Sequence, residues 1–276
     1  MQIQDLKQLI INAGIEKNEA SIELKMLLEH FCNYTEKDLI LGKPLSDNDI
    51  NIIKEKISER INNRTPIQYI IGEAWFMGNK FKVSPDVLIP RDETELLVTR
   101  AIEIINNNSF LDVLDIGTGS GCIACTIAKN TQATVLGIDI SSDALRIALD
   151  NVTKLGINNR AIFRKSNLYE KIRDGEKFDV IISNPPYIPF NTELSLEVQK
   201  EPALALFADK NGLSFYETII KNAPQFLNED GYIMFELGIN QSSAVKEMME
   251  QNFEEITIEK DFANIDRVIY GKLKNI

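Results

Sequence analysis

Hydrophobic positions repeat with two different periods along this chain, and the change falls near residue 72. Before it the spacing is helical. Asn18 to Asn33 carries Ile22, Met26, Leu27 and Phe31 at intervals that predict one buried helical face. Thr35 is placed to cap a short helix through Leu41, which Gly42 and Pro44 end. Ser46-Asp47-Asn48-Asp49 predicts another helix start, followed by an apolar stripe of Ile50, Ile53, Ile57 and Ile61. Residues 1–72 thus predict a small helical bundle, and they contain neither a Gly-rich loop nor a cluster of catalytic side chains.

Residues 73–88, EAWFMGNKFKVSPDVL, change character. Aromatics, Gly78-Asn79 and alternation around Phe81 and Val83 predict a β-hairpin that serves as a connector. From residue 89 to 276 the pattern predicts strands at 111–117, 134–140, 161–166, 179–183, 231–237, 255–260 and 267–272. Between them it predicts helices at 93–106, 121–130, 142–155, 212–227 and 240–252. Apolar strands alternating with helices imply a mostly parallel sheet covered on both faces. The expected class is α/β: a seven-stranded, mostly parallel, Rossmann-like sheet preceded by the helical bundle.

Composition narrows the chemistry. The chain has 276 residues, room for one large domain or an ordinary one plus a small one. No apolar run approaches the roughly 20 residues that span a bilayer, and MQIQDLKQLI does not read as a secretory signal. Three cysteines, Cys32, Cys122 and Cys125, are too few and too odd in number for a disulfide framework, so a reducing cytoplasm is expected. The net charge of −11 argues against a long nucleic acid as substrate. The single histidine, His30, lies in an expected helix, which argues against a histidine base or a His-rich metal site, and no metal is expected.

Leu111-Asp112-Val113-Leu114-Asp115-Ile116 runs into Gly117-Thr118-Gly119-Ser120-Gly121 and then a helix. Glycines let a backbone turn sharply and approach a ligand. The next expected strand ends in Asp139, about 20 residues on, where doubly wound folds place the carboxylate that grips ribose hydroxyls. The spacing is G-x-G-x-G led by Asp115, not the dinucleotide fingerprint G-x-G-x-x-G. A tighter loop with an extra acid suits a ligand with a cationic amino-acid end, namely S-adenosylmethionine. A bare strand–helix turn would explain the loop alone; Asp139 in phase favours the ligand. Cys122 and Cys125 make a CxxC with no second pair, and are expected to be small packing residues of that helix.

Ser183-Asn184-Pro185-Pro186-Tyr187 ends the apolar run Val180-Ile181-Ile182. Prolines cannot donate to a sheet ladder, so this is either a rigid strand-ending turn or a built corner. Amide and exocyclic amine nitrogens are poor nucleophiles because the lone pair is delocalised. A site that accepts both N–H bonds frees that pair. The Asn184 side-chain oxygen and the Pro185 carbonyl are the candidate acceptors, Pro186 stiffens the corner, and the Tyr187 ring can stack on the planar group.

Taken together, DIGTGSG, Asp139 and NPPY resemble class I S-adenosylmethionine-dependent methyltransferases that act on planar nitrogen. The chain further resembles the PrmC/HemK family of protein-(glutamine-N5) methyltransferases. The likeness runs through Pro66-Ile67-Gln68-Tyr69-Ile70-Ile71-Gly72-Glu73, Val83 to Arg91, Glu93 to Val98, NPPYIP, Glu201 to Leu206, Glu236-Leu237-Gly238 and Asp266-Arg267-Val268. The resemblance implies methyl transfer to the glutamine of the GGQ motif of bacterial-type peptide chain release factors, with residues 1–72 as a substrate-recognition domain. It implies cofactor binding by Gly117, Thr118, Gly119, Ser120, Gly121, Asp139, Leu168 and Asn184, with catalysis at Asn184, Pro185, Pro186 and Tyr187. Asn167 stands where family members often have an acid, and Asp92 where the motif often reads Pro. Three rivals remain: an adenine-N6 methyltransferase of DNA or RNA, a scaffold that binds donor without chemistry, and another N-methyltransferase. The charge speaks against the first, and the unbroken motifs against the second.

Overall fold

A computed structural model describes residues 2–275. The chain divides into two compact units. One runs up to Glu73 and also takes in Leu194–Lys200; the other holds Ala74–Glu193 and continues from Glu201.

The first unit is helical: Ile3–Asn12, Lys17–Cys32 and Asp47–Asn63 are its long helices, with short ones at Glu36–Ile40 and Ile67–Ile71. Two of the starts are set by reciprocal caps. Thr35 accepts from the Asp38 N–H, and Asp38 accepts from the Thr35 N–H at 2.9 Å; Ser46 and Asp49 repeat the arrangement. Each satisfies two backbone donors that a helix start leaves open. Leu6, Ile10, Leu24, Leu27, Leu28, Ile53 and Ile57 form the core.

The buried face of Lys17–Cys32 is turned from the expected one at Ile22. Leu27 is buried and Met26 and Phe31 pack partly buried against the core as expected, but Ile22 is 60% exposed, and Ala20, Glu23, Leu24 and Leu28 are buried in addition. The reason is an ion pair. Arg60 Nε donates to both Glu23 oxygens, at 2.9 and 3.1 Å, so a residue that reads as solvent-facing turns inward. The same guanidinium donates to Glu197 at 2.9 Å, and Arg64 donates to the Ala13 carbonyl. Burial raises the Glu23 carboxyl above the usual range against the pull of Arg60. Arg60→Met should therefore strand Glu23 and lower the unfolding free energy by about 3–5 kcal/mol in urea denaturation.

A hairpin of Glu73–Phe76 and Asn79–Lys82 comes next, belonging to the second unit from Ala74 on. Its turn is at Met77 and Gly78, both with positive φ (47° and 70°), one residue before the expected turn and of the kind that matches strand twist. Seven strands then form the sheet: β1 Asp112–Ile116, β2 Thr134–Asp139, β3 Ala161–Lys165, β4 Phe178–Ser183, β5 Leu227–Glu236, β6 Phe253–Lys260 and β7 Asp266–Leu273. Their order is β6-β7-β5-β4-β1-β2-β3, parallel except that β7 runs against both neighbours. The seven-stranded, mostly parallel expectation holds. The order reverses direction between β1 and β4, the switch point where such sheets bind ligands beyond their strand ends.

One expected helix is broken. In place of 212–227, Lys210, Asn211 and Gly212 all take left-handed φ (55°, 56° and 86°), and the helix proper is Ser214–Asn222. Ala223–Gln225 then tightens to a 3₁₀ turn at Pro224, which has no N–H to continue the helix. Among the described residues no helix is long and apolar enough to cross a membrane.

Candidate active site

The ends of β1, β2 and β4 and the segment after β3 open on one cavity. Gly117, Gly119, Asp139, Asn167, Leu168, Asn184, Pro185 and Pro186 line it. Two further segments complete its wall: Asp86, Val87 and Leu88 on one stretch, and Pro202, Leu204 and Ala205 on another. These stretches are tied together because Glu201, 5% exposed, accepts from the Ile89 N–H at 3.1 Å and pairs with Arg91.

The glycine loop divides its work. The Gly117 and Thr118 N–H groups both donate to the Ile138 carbonyl at 2.9 Å, closing the turn against β2. Gly117 and Gly119 have positive φ and line the cavity, and a Cβ on either would meet no atom closer than 4.0 Å. Thr118 and Ser120 are turned inward and buried, and a Cβ on Gly121 would press on Ala148 at 3.0 Å. The open cradle at two glycines fits a bulky ligand laid against bare backbone. Asp139 accepts from the Gly119 N–H at 2.9 Å and the Ser141 N–H at 2.8 Å, which fixes its carboxylate on the cavity wall.

Asp115 departs from the expectation. Its carboxyl is fully buried and off the wall of the cavity, and accepts from the Thr118 hydroxyl at 2.6 Å. It braces the loop from behind. Burial pushes it up to about 7, against the lowering pull of Thr118. Cys122 and Cys125 are free, buried thiols, both pushed up by burial, and fill space in Cys122–Asn130.

At the β4 end the Ser183 hydroxyl donates to the Ile116 carbonyl at 2.7 Å, locking the two strand ends together. Asn184 then spends its amide nitrogen inward: Nδ2 donates to Glu236 Oε2 at 2.9 Å and to Thr94 Oγ1 at 3.1 Å. The Thr94 hydroxyl itself donates to Glu236 Oε2 at 2.5 Å. Glu236 Oε1 accepts from the Tyr187 hydroxyl at 3.1 Å. Glu236 is 1% exposed, and burial raises its carboxyl while Thr94 and Tyr187 hold it down. Tyr187 is thereby held by both ends, since its carbonyl accepts from Gln241 Nε2 at 2.9 Å. Its ring lies outside the residues that line the cavity. Gly212 and Gly238 make room for this loop; a Cβ would fall 2.0 Å from the Tyr187 carbonyl oxygen at the first and 3.0 Å from the Tyr187 ring at the second. Sequence reasoning gave Thr94 and Glu236 no role of their own. A lone acid closing the apolar run Ile233-Met234-Phe235 was the available signal.

Comparison with known proteins follows the same two-part plan. A model described as a methyltransferase domain matches residues 107–272, and one described as the PrmC N-terminal domain matches residues 3–72. A release factor glutamine methyltransferase of Bacillus subtilis (strain 168) is 36% identical over 271 residues, covering 94% of this chain and 92% of that protein. The chain belongs to the release factor glutamine methyltransferase family. The member from Fusobacterium nucleatum is 38% identical over 84% of this chain and 67% of its own length. A bifunctional methyltransferase of Rickettsia prowazekii is 35% identical over 96% of this chain, which spans 56% of it. Among solved structures, the hMettl16 catalytic domain in complex with an RNA hairpin shares the fold (TM-score 0.57, 15% identity, 83% of each chain). So does the 16S rRNA methyltransferase RsmC of T. thermophilus (TM-score 0.54, 16% identity, 73% of this chain and 50% of that one). The enzyme is a methyltransferase that uses S-adenosylmethionine.

The position of Asp115 has a pH consequence. The unfolded carboxyl ionises near its ordinary value, the folded one only at about 7. The folded state therefore holds the extra proton between them, and stability falls as pH rises through that window. Asp115→Asn should remove this loss. Denaturation of both proteins should give a stability difference that grows in favour of the variant from about pH 4 to about pH 7.

Proposed function

We propose that this enzyme methylates the side-chain amide N5 of the glutamine in the GGQ loop of bacterial-type release factors, and that it does so in the cytoplasm. The observation that carries the reading is the orientation of Asn184. Its two N–H bonds go to buried acceptors, so its Oδ1 is the edge left for a substrate, and an oxygen there calls for an NH2 group. The names of the relatives support glutamine as that group.

Asp139, with the bare backbone of Gly117 and Gly119, would hold the donor's ribose and amino-acid portions, and Leu168 with Asn167 would flank its base. S-adenosylmethionine supplies a methyl group on a positively charged sulfur. Asn184 Oδ1 and the Pro185 carbonyl accept the two amide N–H bonds, which draws the nitrogen lone pair out of conjugation and fixes its direction. Pro185 and Pro186 hold φ, so the carbonyl is aimed before substrate arrives. Tyr187, fastened by its hydroxyl and carbonyl, holds the end of this corner in place. No side chain has to remove a proton first. The helical unit contacts the release factor away from the tripeptide.

Mass spectrometry of release factor incubated with donor and enzyme should show one added methyl on the GGQ glutamine, and none on duplex DNA in parallel. Asn184→Ala should leave donor affinity intact and raise the barrier by about 2.7–4 kcal/mol. Asp139→Ala should weaken donor binding in calorimetry, because it removes the acceptor offered to the ribose.

A further inference from the structure

The side-chain amide of asparagine has almost the same shape when its oxygen and nitrogen are exchanged. Something must therefore choose which end of Asn184 faces the cavity. We propose that Glu236, acting with Thr94, is the positioning residue that makes Asn184 present an acceptor, and so determines that the site selects an NH2 group over a carbonyl or carboxylate.

The choice follows from what each partner can do. The Glu236 carboxylate only accepts. The Thr94 hydroxyl has one proton, and it goes to Glu236 Oε2, which leaves Thr94 Oγ1 with lone pairs alone towards Asn184. Asn184 thus meets two acceptors, and its nitrogen satisfies both. A reversed amide would set Oδ1 against Glu236 Oε2, oxygen to oxygen, in a place where Glu236 is 1% exposed and Thr94 3% exposed. Unpaired polar atoms in such a setting are strongly disfavoured. The carboxylate cannot turn to escape. Its other oxygen holds the Tyr187 hydroxyl, and its own backbone carbonyl accepts from the Tyr216 hydroxyl at 2.7 Å. Arg267 and Glu93 are the further charged groups that act on it, the first favouring its ionised form and the second opposing it.

Glu236→Gln keeps the shape and removes the rule. Its amide can donate to a reversed Asn184, so both orientations become available. The expected result is a fall in kcat of roughly 10²-fold, with calorimetric affinity for S-adenosylmethionine and KM for release factor within about threefold of wild type. A second readout needs no turnover. In ¹⁵N-labelled wild-type enzyme without ligands, the Asn184 side-chain NH2 protons should exchange with solvent slowly. In Glu236→Gln, or in Thr94→Val should the first variant fail to fold, they should exchange at least about tenfold faster. A Glu236→Gln enzyme with kcat within threefold of wild type overturns the proposal, as do wild-type Asn184 protons that exchange like those of an exposed asparagine. The kinetic arm rests on the glutamine-methylating reading. If wild-type enzyme methylates no release factor, that reading fails, while the exchange arm still decides the orientation.

Discussion

A carboxylate sealed inside a protein must have its oxygens filled, and Glu236 fills them with the side chains that make the active corner. Its partners come from two places, Thr94 near the start of Asp92–Asn108 and Asn184 and Tyr187 on the loop after β4, while Glu236 itself ends β5. None of these donors could be lost without leaving buried charge less compensated, so the requirement for satisfaction fixes all of them at once. The corner is rigid because its alternative arrangements are electrostatically poor, and only partly because it contains prolines.

Around that centre, backbone contacts do the remaining alignment. Ser183 bonds the end of β4 to the end of β1, so the proline corner and the glycine loop share one frame. Gln241 bridges the Tyr187 and Asn211 carbonyls, and the left-handed run through Lys210, Asn211 and Gly212 brings the chain close enough for this. Strain of that kind persists where surrounding contacts over-determine it. Here the contact is Gly212 beneath the Tyr187 carbonyl, where a side chain has no space.

Much of this was legible in the residues. Apolar runs ending in Asp115, Asp139 and Asn184 announced parallel strands whose tips meet, and the sheet is as expected. The cavity gathers Gly117, Gly119, Asp139, Leu168 and Asn184, yet leaves Thr118, Ser120 and Gly121 behind the loop. Periodicity cannot distinguish a loop residue that faces a ligand from one that braces it, and Asp115 shows the same limit. Ile22 was misplaced because the turn of its helix is decided by Arg60, a residue about two helices away in sequence. Glu236 stayed unread for a related reason: an acid at a strand end looks solvated until its donors, 142 and 52 residues away along the chain, are seen to converge.

The excursion of Leu194–Lys200 into the helical unit bears on where the chain can be divided. Glu197 lies on it and is gripped by Arg60, so the polypeptide is stitched to its amino-terminal portion a second time, far from the covalent junction near Glu73. That stitch sits on the strand of sequence leaving the Asn-Pro-Pro-Tyr corner and returning at Glu201. Dividing the chain at Glu73 alone therefore does not separate the helical unit, because Leu194–Lys200 belongs to it as well.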